Sequence, residues 1–203
     1  MDRNASLEEI TGLISDTLNH FYEEDKLLFD RRGGEGLHER CLQAKFAHHL
    51  QNFLNAACNG SVDWYVDCEY NSSWVPKLDE HGNVERDDNG MVIYHESRIK
   101  ALKNFSEKHG GFVDIIVHKR LKTETDWFCI ELKKLSTLET YSQRRRNQEK
   151  NNDFSKLIQM TSQTTAGFGY YYGFYIVLGR VREETKWTVF RRGEISNLID
   201  VSV

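Results

Sequence analysis

Asp114, Glu131 and Lys133 stand singly inside two strongly apolar segments. These are Phe112-Val113-Asp114-Ile115-Ile116-Val117-His118 and Trp127-Phe128-Cys129-Ile130-Glu131-Leu132-Lys133-Lys134. Side chains alternate between the two faces of a strand. Val113, Ile115 and Val117 are therefore expected on one face, and Asp114 on the other with Ile116 and His118. In the second segment Ile130 and Leu132 share one face, and Glu131 and Lys133 the other. If the two strands form an antiparallel hairpin turning near Lys122, Asp114 comes opposite or close to Glu131. Directly opposed Cβ atoms lie about 4.5–5.5 Å apart. Two carboxylates that close repel, and burial makes the repulsion worse. A divalent cation bound by both removes that cost, and hard oxygen ligands suit Mg²⁺. Lys133 then projects beside the ion, where it can stabilise a phosphodiester transition state or help position attacking water.

The tripeptide acid-x-Lys is by itself a weak signal. It occurs at Glu24-Asp25-Lys26, at Glu131-Leu132-Lys133 and at Glu184-Thr185-Lys186. Only the middle one lies in an apolar strand that follows another apolar strand interrupted by a single acid. The bland alternative is a half-exposed strand pair whose polar face happens to carry Asp, Glu and Lys.

The elements that must position these residues are legible in outline. Ser6 with Glu9 forms a capping box, and Leu7, Ile10, Leu13, Ile14, Leu18 and Phe21 recur at helical spacing, so a first helix is expected over about 6–23. A turn at Arg31-Arg32-Gly33-Gly34 follows. A second helix is expected over about 37–57, with Leu42, Phe46, Leu50, Phe53 and Leu54 as its apolar stripe and Asn59-Gly60 closing it. A strand over about 62–70 comes next. Residues 71–110 hold the only proline, Pro76, and turn signals at His81-Gly82 and Asp87-Asp88-Asn89-Gly90. They read as an insertion with a short hairpin and a short helix near 96–105. After the two site strands, a basic stretch over 137–152 leads to a helix expected at about 153–164. Two late strands, about 172–181 and 186–191, make a hairpin across 182–185, and a short helix over 194–199 is expected to end the chain. The sum is a single α/β domain over 1–203, with helices on a mixed sheet and an insertion at about 71–110.

Composition permits this. With 203 residues the chain can bury a core without disulfides or a structural metal. Hydrophobic residues make up 39% and charged residues 29%, so disorder is not expected for most of the chain. No apolar run reaches the roughly 18 residues that span a bilayer, and residues 1–5 lead into an acidic amphipathic segment without a signal-peptide core. A cytoplasmic location without membrane association is the expectation. The four cysteines, Cys41, Cys58, Cys68 and Cys129, form no C-x-x-C pair and are expected to be reduced, buried thiols. The net charge of −4 argues mildly against a nucleic-acid binder, although a local basic surface can still contact phosphate.

Five blocks in order carry a family resemblance. They are His38-Glu39; Val66-Asp67-Cys68-Glu69-Tyr70-Asn71; Val113-Asp114-Ile115-Ile116-Val117-His118; Glu131-Leu132-Lys133-Lys134; and Asp153-Phe154-Ser155-Lys156-Leu157. This arrangement, spread over about residues 37–180, resembles the PD-(D/E)xK, or restriction-endonuclease-like, nuclease superfamily. More closely, it resembles a group of uncharacterised bacterial nuclease-like proteins. Val113 stands where the motif has proline; proline is no ligand, so the chemistry survives. The resemblance implies a restriction-endonuclease-like fold, a central mixed β-sheet flanked by helices. It also implies a Mg²⁺-dependent endonuclease, with Mn²⁺ as a substitute, acting on nucleic acid, DNA ahead of RNA. Asp114, Glu131 and the backbone carbonyl of Leu132 would hold the metal, Lys133 would assist the attacking water and the transition state, and Glu39 would be a further acid of the site. The rival readings are a catalytically silent nuclease-fold module or subunit in a defence or repair system, and an enzyme using the same site on another phosphate ester. A homodimer or a larger defence or repair complex is an open partner expectation.

Other residues divide between a site and ordinary structure. Glu39 falls on the apolar stripe of its helix, where a buried carboxylate needs a partner; it is equally a charge favoured by a helix N-terminus. Asp153 and Lys156 are either a surface ion pair or support for the site, with Lys156 as a substrate contact. Arg144, Arg145, Arg146 and Lys150, and Lys119, Arg120 and Lys122, are candidate phosphate contacts or a solvated charge run. His118 is expected as a strand-end surface histidine. Phe168, Tyr170, Tyr171, Tyr172, Phe174 and Tyr175 are expected to pack rather than to stack bases. Glu69 and Tyr70 belong to the resemblance with no chemistry assigned.

Overall fold

The first helix begins where its cap dictates. Ser6 Oγ accepts from Glu9 N–H and Glu9 returns a bond to Ser6 N–H at 2.7 Å, closing the capping box. A computed structural model describes residues 5–25, 27–30, 38–58, 64–68, 79, 84–91, 93, 112–119, 126–163 and 168–199. Its elements are α1 (Leu7–Glu24), α2 (Leu27–Asp30), α3 (Glu39–Ala57), β1 (Tyr65–Cys68), β2 (Ile115–His118), β3 (Asp126–Lys134), α4 (Leu135–Glu139), α5 (Gln143–Thr161), β4 (Tyr172–Leu178), β5 (Lys186–Arg191) and β6 (Glu194–Ile199). A 3₁₀ turn at Arg182–Glu184 links β4 to β5. The Arg31–Gly34 and Asn59-Gly60 turns, Glu69, Tyr70, Arg120, Lys122 and the helix expected near 96–105 lie outside the described residues. Within 71–110, the Asp87–Gly90 turn is present: Gly90 has φ +77°, and Asp87 Oδ1 accepts from the N–H groups of Asn89 and Met91. Among the described residues no helix is long and apolar enough to cross a membrane.

The fold is α/β: among the described residues six strands in chain order form one mixed sheet flanked by helices. All neighbouring pairs are antiparallel except β3 and β4, which run parallel with α4 and α5 in the crossover between them. Ile115 pairs with Ile130, so the register carries Asp114 opposite Glu131. A register shift between Val117 and His118 leaves Trp127 as the extra residue of a β-bulge. The bulge turns Trp127 into the same core as its neighbour Phe128, where it packs on Trp64 with ring centroids 4.7 Å apart.

The two faces of the sheet differ. On one, Ile115, Val117, Ile130, Leu132, Phe174 and Ile176 meet the stripes of α1 and α3, including Leu18, Phe21, Phe46 and Leu50. Each such side chain contributes about 1.5–3 kcal/mol by leaving water. On the other, a smaller cluster of Val113, Ile116, Cys129, Leu157, Met160, Tyr175 and Phe190 lies against α5. The helix approaches β4 at Gly173, where an added Cβ would meet Thr161 Cγ2 at 3.1 Å and Leu157 Cδ2 at 3.2 Å.

Several expectations need correction. Residues 194–199 are a strand and not a helix: Arg192 (φ +54°) and Gly193 (φ +79°) make a two-residue turn that pairs β6 with β5. Helix α5 starts ten residues before the expected 153, with Ser142 Oγ accepting from Arg145 N–H, so the basic stretch is helical from Gln143 on. Val113 joins the cluster under α5 rather than the face of Ile115, because it precedes the regular strand and alternation does not yet apply. Of the cysteines only Cys129 is buried; Cys41 and Cys68 are exposed and Cys58 is intermediate, all with free thiols. His118 is buried, and its Nε2 pairs with Asp67 Oδ2 at 2.7 Å across β1 and β2.

Candidate active site

Four elements bring charged side chains to the α5 face of the sheet. Strand alternation puts Glu131 and Lys133 on this face of β3, beside Cys129 of the minor cluster. Asp114 enters from the residue before β2. There the strand ladder has ended, and Asp114 Oδ2 accepts the Leu132 N–H at 2.7 Å in place of a backbone carbonyl. Asp153 and Lys156 come from α5, one turn apart. Glu39 is the first residue of α3, half-buried, with His38 as N-cap.

Glu131 is the centre of the group and is fully buried. Its Oε1 accepts from Lys156 Nζ at 2.8 Å and from Lys133 Nζ at 3.3 Å. Lys133 Nζ also lies 3.6 Å from Glu39 Oε1 and 3.6 Å from Asp153 Oδ2, and Lys156 Nζ lies 3.4 Å from Asp153 Oδ1. Glu131 Oε2 and Asp153 Oδ2 are buried without a hydrogen-bond partner among the described residues. Burying ions costs several kcal/mol each, and removing one member of such a pair leaves the other uncompensated.

The titration behaviour follows from this crowding. Burial, and then the charge of Glu131, hold the Asp114 carboxyl well above the usual carboxylate range. Burial and Glu131 push Asp153 up to about 7. For Lys133, burial favours the neutral amine, but Glu131, Asp114, Asp153 and Glu39 outweigh it and the ammonium is held more firmly than usual. Lys156 behaves alike: burial opposes its charge, and Glu131 and Asp153 override burial. Burial, and then Asp153, raise the neighbouring Tyr175 phenol.

The sequence reading grouped Asp114, Glu131, Lys133 and Glu39, and the structure gathers these four. It also brings in Asp153 and Lys156, which are buried and not a surface pair. Sequence alone left these two open; their i, i+3 spacing on a helix following an acid-x-Lys strand was the available signal. The three arginines are elsewhere. Arg144 and Arg145 are exposed, Arg145 lying 3.8 Å from Glu149 and over the Tyr141 ring. Arg146 lies two helical turns from Asp153 and lines a groove between α5 and the sheet. Lys119 sits over the Trp64 ring. Of the aromatic group, Tyr170, Tyr172, Phe174 and Tyr175 are buried, Phe168 is partly buried and Tyr171 is exposed.

Among the described residues, no three or more His, Cys, Asp or Glu side chains form a group arranged to hold a metal ion. An ammonium stands among the acids instead, Lys133 Nζ lying between Glu39, Glu131 and Asp153. The donors nonetheless fit a hard cation in kind. Carboxylates come from β3 and from the residue that precedes β2, and one oxygen of Glu131 lacks a hydrogen-bond partner among the described residues. Four ionised carboxylates against two ammonium groups leave two negative charges, which one divalent cation or two protons would balance. Set against protein-family models, curated proteins and solved structures, the chain matches none.

Proposed function

We propose that this chain is a metal-dependent nuclease of restriction-endonuclease-like fold, hydrolysing phosphodiester bonds in nucleic acid, DNA in preference to RNA. The observation that supports it is the convergence of Glu131 and Lys133 of β3, Asp114 before β2, and Asp153 and Lys156 of α5 around one fully buried carboxylate. Buried, mutually perturbing titratable groups are characteristic of functional sites. The resemblance described above supplies the phosphodiester substrate, and the arrangement supplies the acids and the cation-bearing side chain.

Asp114, Glu131 and the Leu132 carbonyl would hold Mg²⁺. The ion, when bound, polarises a phosphoryl oxygen and acidifies water. The protein's own groups do the rest. Lys156 fixes Glu131 through Oε1. Asp114 is oriented by the Leu132 N–H. Lys133 is held protonated by the surrounding acids, so it serves as a donor to charge developing on a phosphoryl oxygen and not as a base. Glu39 and Asp153 aim its ammonium.

One observation favours the second reading, a catalytically silent module of the same fold: both ammonium groups pair with Glu131, so the acids are partly compensated by the protein's own cations. Plasmid and single-strand cleavage with Mg²⁺, Mn²⁺ and chelator separates the two. Cleavage by the wild type that needs metal and vanishes in Lys133→Ala supports the nuclease. Binding of nucleic acid without cleavage under any metal leaves the module.

A further inference from the structure

Helix α5 is two unlike halves. Its buried residues, Asp153, Lys156, Leu157, Met160 and Thr161, all lie in the C-terminal half. The N-terminal half, Gln143–Asn152, carries no apolar residue to pack. Under it runs a groove of about 880 Å³ between α5 and the β4–β5 part of the sheet. That is within the range of about 300–1,000 Å³ found for clefts that enclose small ligands.

The groove lies beside the site on the same face of the sheet. Glu131 pairs with Tyr175 and Tyr175 with Thr188; Lys133 pairs with Val177 and Val177 with Lys186. Tyr175, Val177, Thr188 and Lys186 all line the groove, so its floor continues the two rows of the sheet that carry the site residues. Its wall has a matching chemistry. Arg146 and Lys150 project from α5, and Arg146 Nε is buried without a hydrogen-bond partner among the described residues. Glu139, Glu183 and Glu184 also border the groove, and Glu139 has its charge paired by a group outside the lining. Glu139 pairs with the Arg180 guanidinium at 2.6 Å, Glu184 accepts the Arg180 backbone N–H at 2.8 Å, and Glu183 lies in the field of Arg182. Lys150 Nζ lies over the Phe154 ring, 5.0 Å from its centroid, and Arg146 and Lys186 border a floor in which Tyr175 and Val177 adjoin Thr188.

We propose that this groove binds an unpaired stretch of nucleic-acid strand beside the bond to be cut, with backbone phosphates on Arg146, Lys150 and Lys186. The proposal deepens the nuclease reading and rests on it for the position of the scissile bond. A duplex has no room between a helix and the sheet it packs on, whereas a single strand does. The substrate class is accordingly single-stranded nucleic acid or a strand end, not continuous duplex.

The test measures binding in chelator, so that it does not depend on catalysis. A short fluorescent single strand, the corresponding blunt duplex and a free mononucleotide are titrated against wild type, Arg146→Glu, Lys186→Glu and Arg145→Glu. Melting curves show that each variant is folded, and Lys186→Gln repeats the test without charge reversal. The single strand is expected to bind about tenfold or more tightly than the duplex. Arg146→Glu and Lys186→Glu should each weaken it by about tenfold and lower the salt slope by about one, as lost phosphate contacts do. Arg145→Glu, on the outer face, should leave it nearly unchanged. Equal binding of duplex and single strand, no effect of the two groove variants, or no binding of either nucleic acid overturns the proposal. Competition by the mononucleotide as effective as by the strand also overturns it, assigning the groove to a free nucleotide. If the strand binds as expected but is never cut, the groove stands and the nuclease reading falls. If duplex is cut and the groove variants cut it normally, the nuclease stands and the groove proposal falls.

Discussion

The two faces of the sheet use the same strands for opposite ends. Residues of even number in the central part of β3, Ile130 and Leu132, go to the α1–α3 side, where they join a large apolar cluster and the contacts are those of an ordinary core. The residues between them, Glu131 and Lys133, go to the α5 side, where Asp114, Asp153, Lys156 and Glu39 gather. A single residue step therefore separates side chains that stabilise the fold from side chains whose burial opposes it. The apolar face supplies the excess stability that lets the charged face exist.

The comparison can be broken most sharply at Lys133. Lys133→Ala should reduce cleavage by about 10²–10³ or more in a plasmid assay, as for loss of a group acting on transition-state charge, with nucleic-acid binding little changed and the metal-free melting temperature lowered, because Glu131, Asp153 and Glu39 lose a compensating ammonium. Undiminished cleavage by the purified variant would remove Lys133 from catalysis. On the opposite face, Phe174→Ala should cost about 3–5 kcal/mol in a denaturant titration, because the fully buried ring leaves a cavity. A loss below about 1 kcal/mol would mean that the face is not the rigid support described here.

Asp114→Asn sharpens the contrast more gently. The amide oxygen keeps the Leu132 N–H bonded while the charge is lost. In chelator at pH 8 the variant should melt higher than wild type, yet it should cleave nothing. A lower melting point would show that repulsion with Glu131 is not the dominant effect. The pH profile tests the same point. Asp114 and Asp153 titrate higher folded than unfolded, Asp153 at about 7. Below about pH 4 both states are protonated and nothing is lost. As pH rises towards 7 the unfolded chain ionises freely while the folded site resists, so metal-free stability falls over that window. Melting curves of the chelated protein should decline from pH 4 to 7, and Asp153→Asn should flatten the decline. The smallest effect belongs to the outer surface of α5. Arg145→Ala removes an exposed pair with Glu149 and should shift stability by about 0.5 kcal/mol or less.

What could be read from sequence was whatever a local rule governs. The capping box and stripe of α1, the stripe of α3 and the alternation in β3 are local, and each element formed. The helix of α5 was recognised only from Asp153 because its first half has no apolar period, although Ser142 caps it and its Gln, Arg, Glu and Lys are good helix formers. Residues 194–199 resembled a short helix because nothing in Glu-Ile-Ser-Asn-Leu-Ile settles the period. The deciding signal was Arg192-Gly193, a two-residue hairpin turn that forces pairing with β5. Asp153 and Lys156 remained ambiguous because a charged helix face is solvated or buried according to what it covers. That information is held by β3 and β4, not by the helix. His118 needed the same kind of knowledge, its partner Asp67 lying on a strand 51 residues away.

The parallel joining of β3 to β4 bears on how the protein reaches its native state. Phe128 meets Tyr172 only after α4 and α5 have been looped out between them, and such distant pairings close slowly because chain entropy is lost before contacts repay it. Until that closure, α5 has no β4 to dock on, and Asp153 and Lys156 stay hydrated, away from Glu131. The cluster is then expected to assemble on the downhill side of the folding barrier, with φ-values near zero at Asp153 and Lys156. Substitutions in it should then alter the rate of unfolding and leave the rate of folding nearly untouched, so this charged site can vary without slowing the formation of the sheet that carries it.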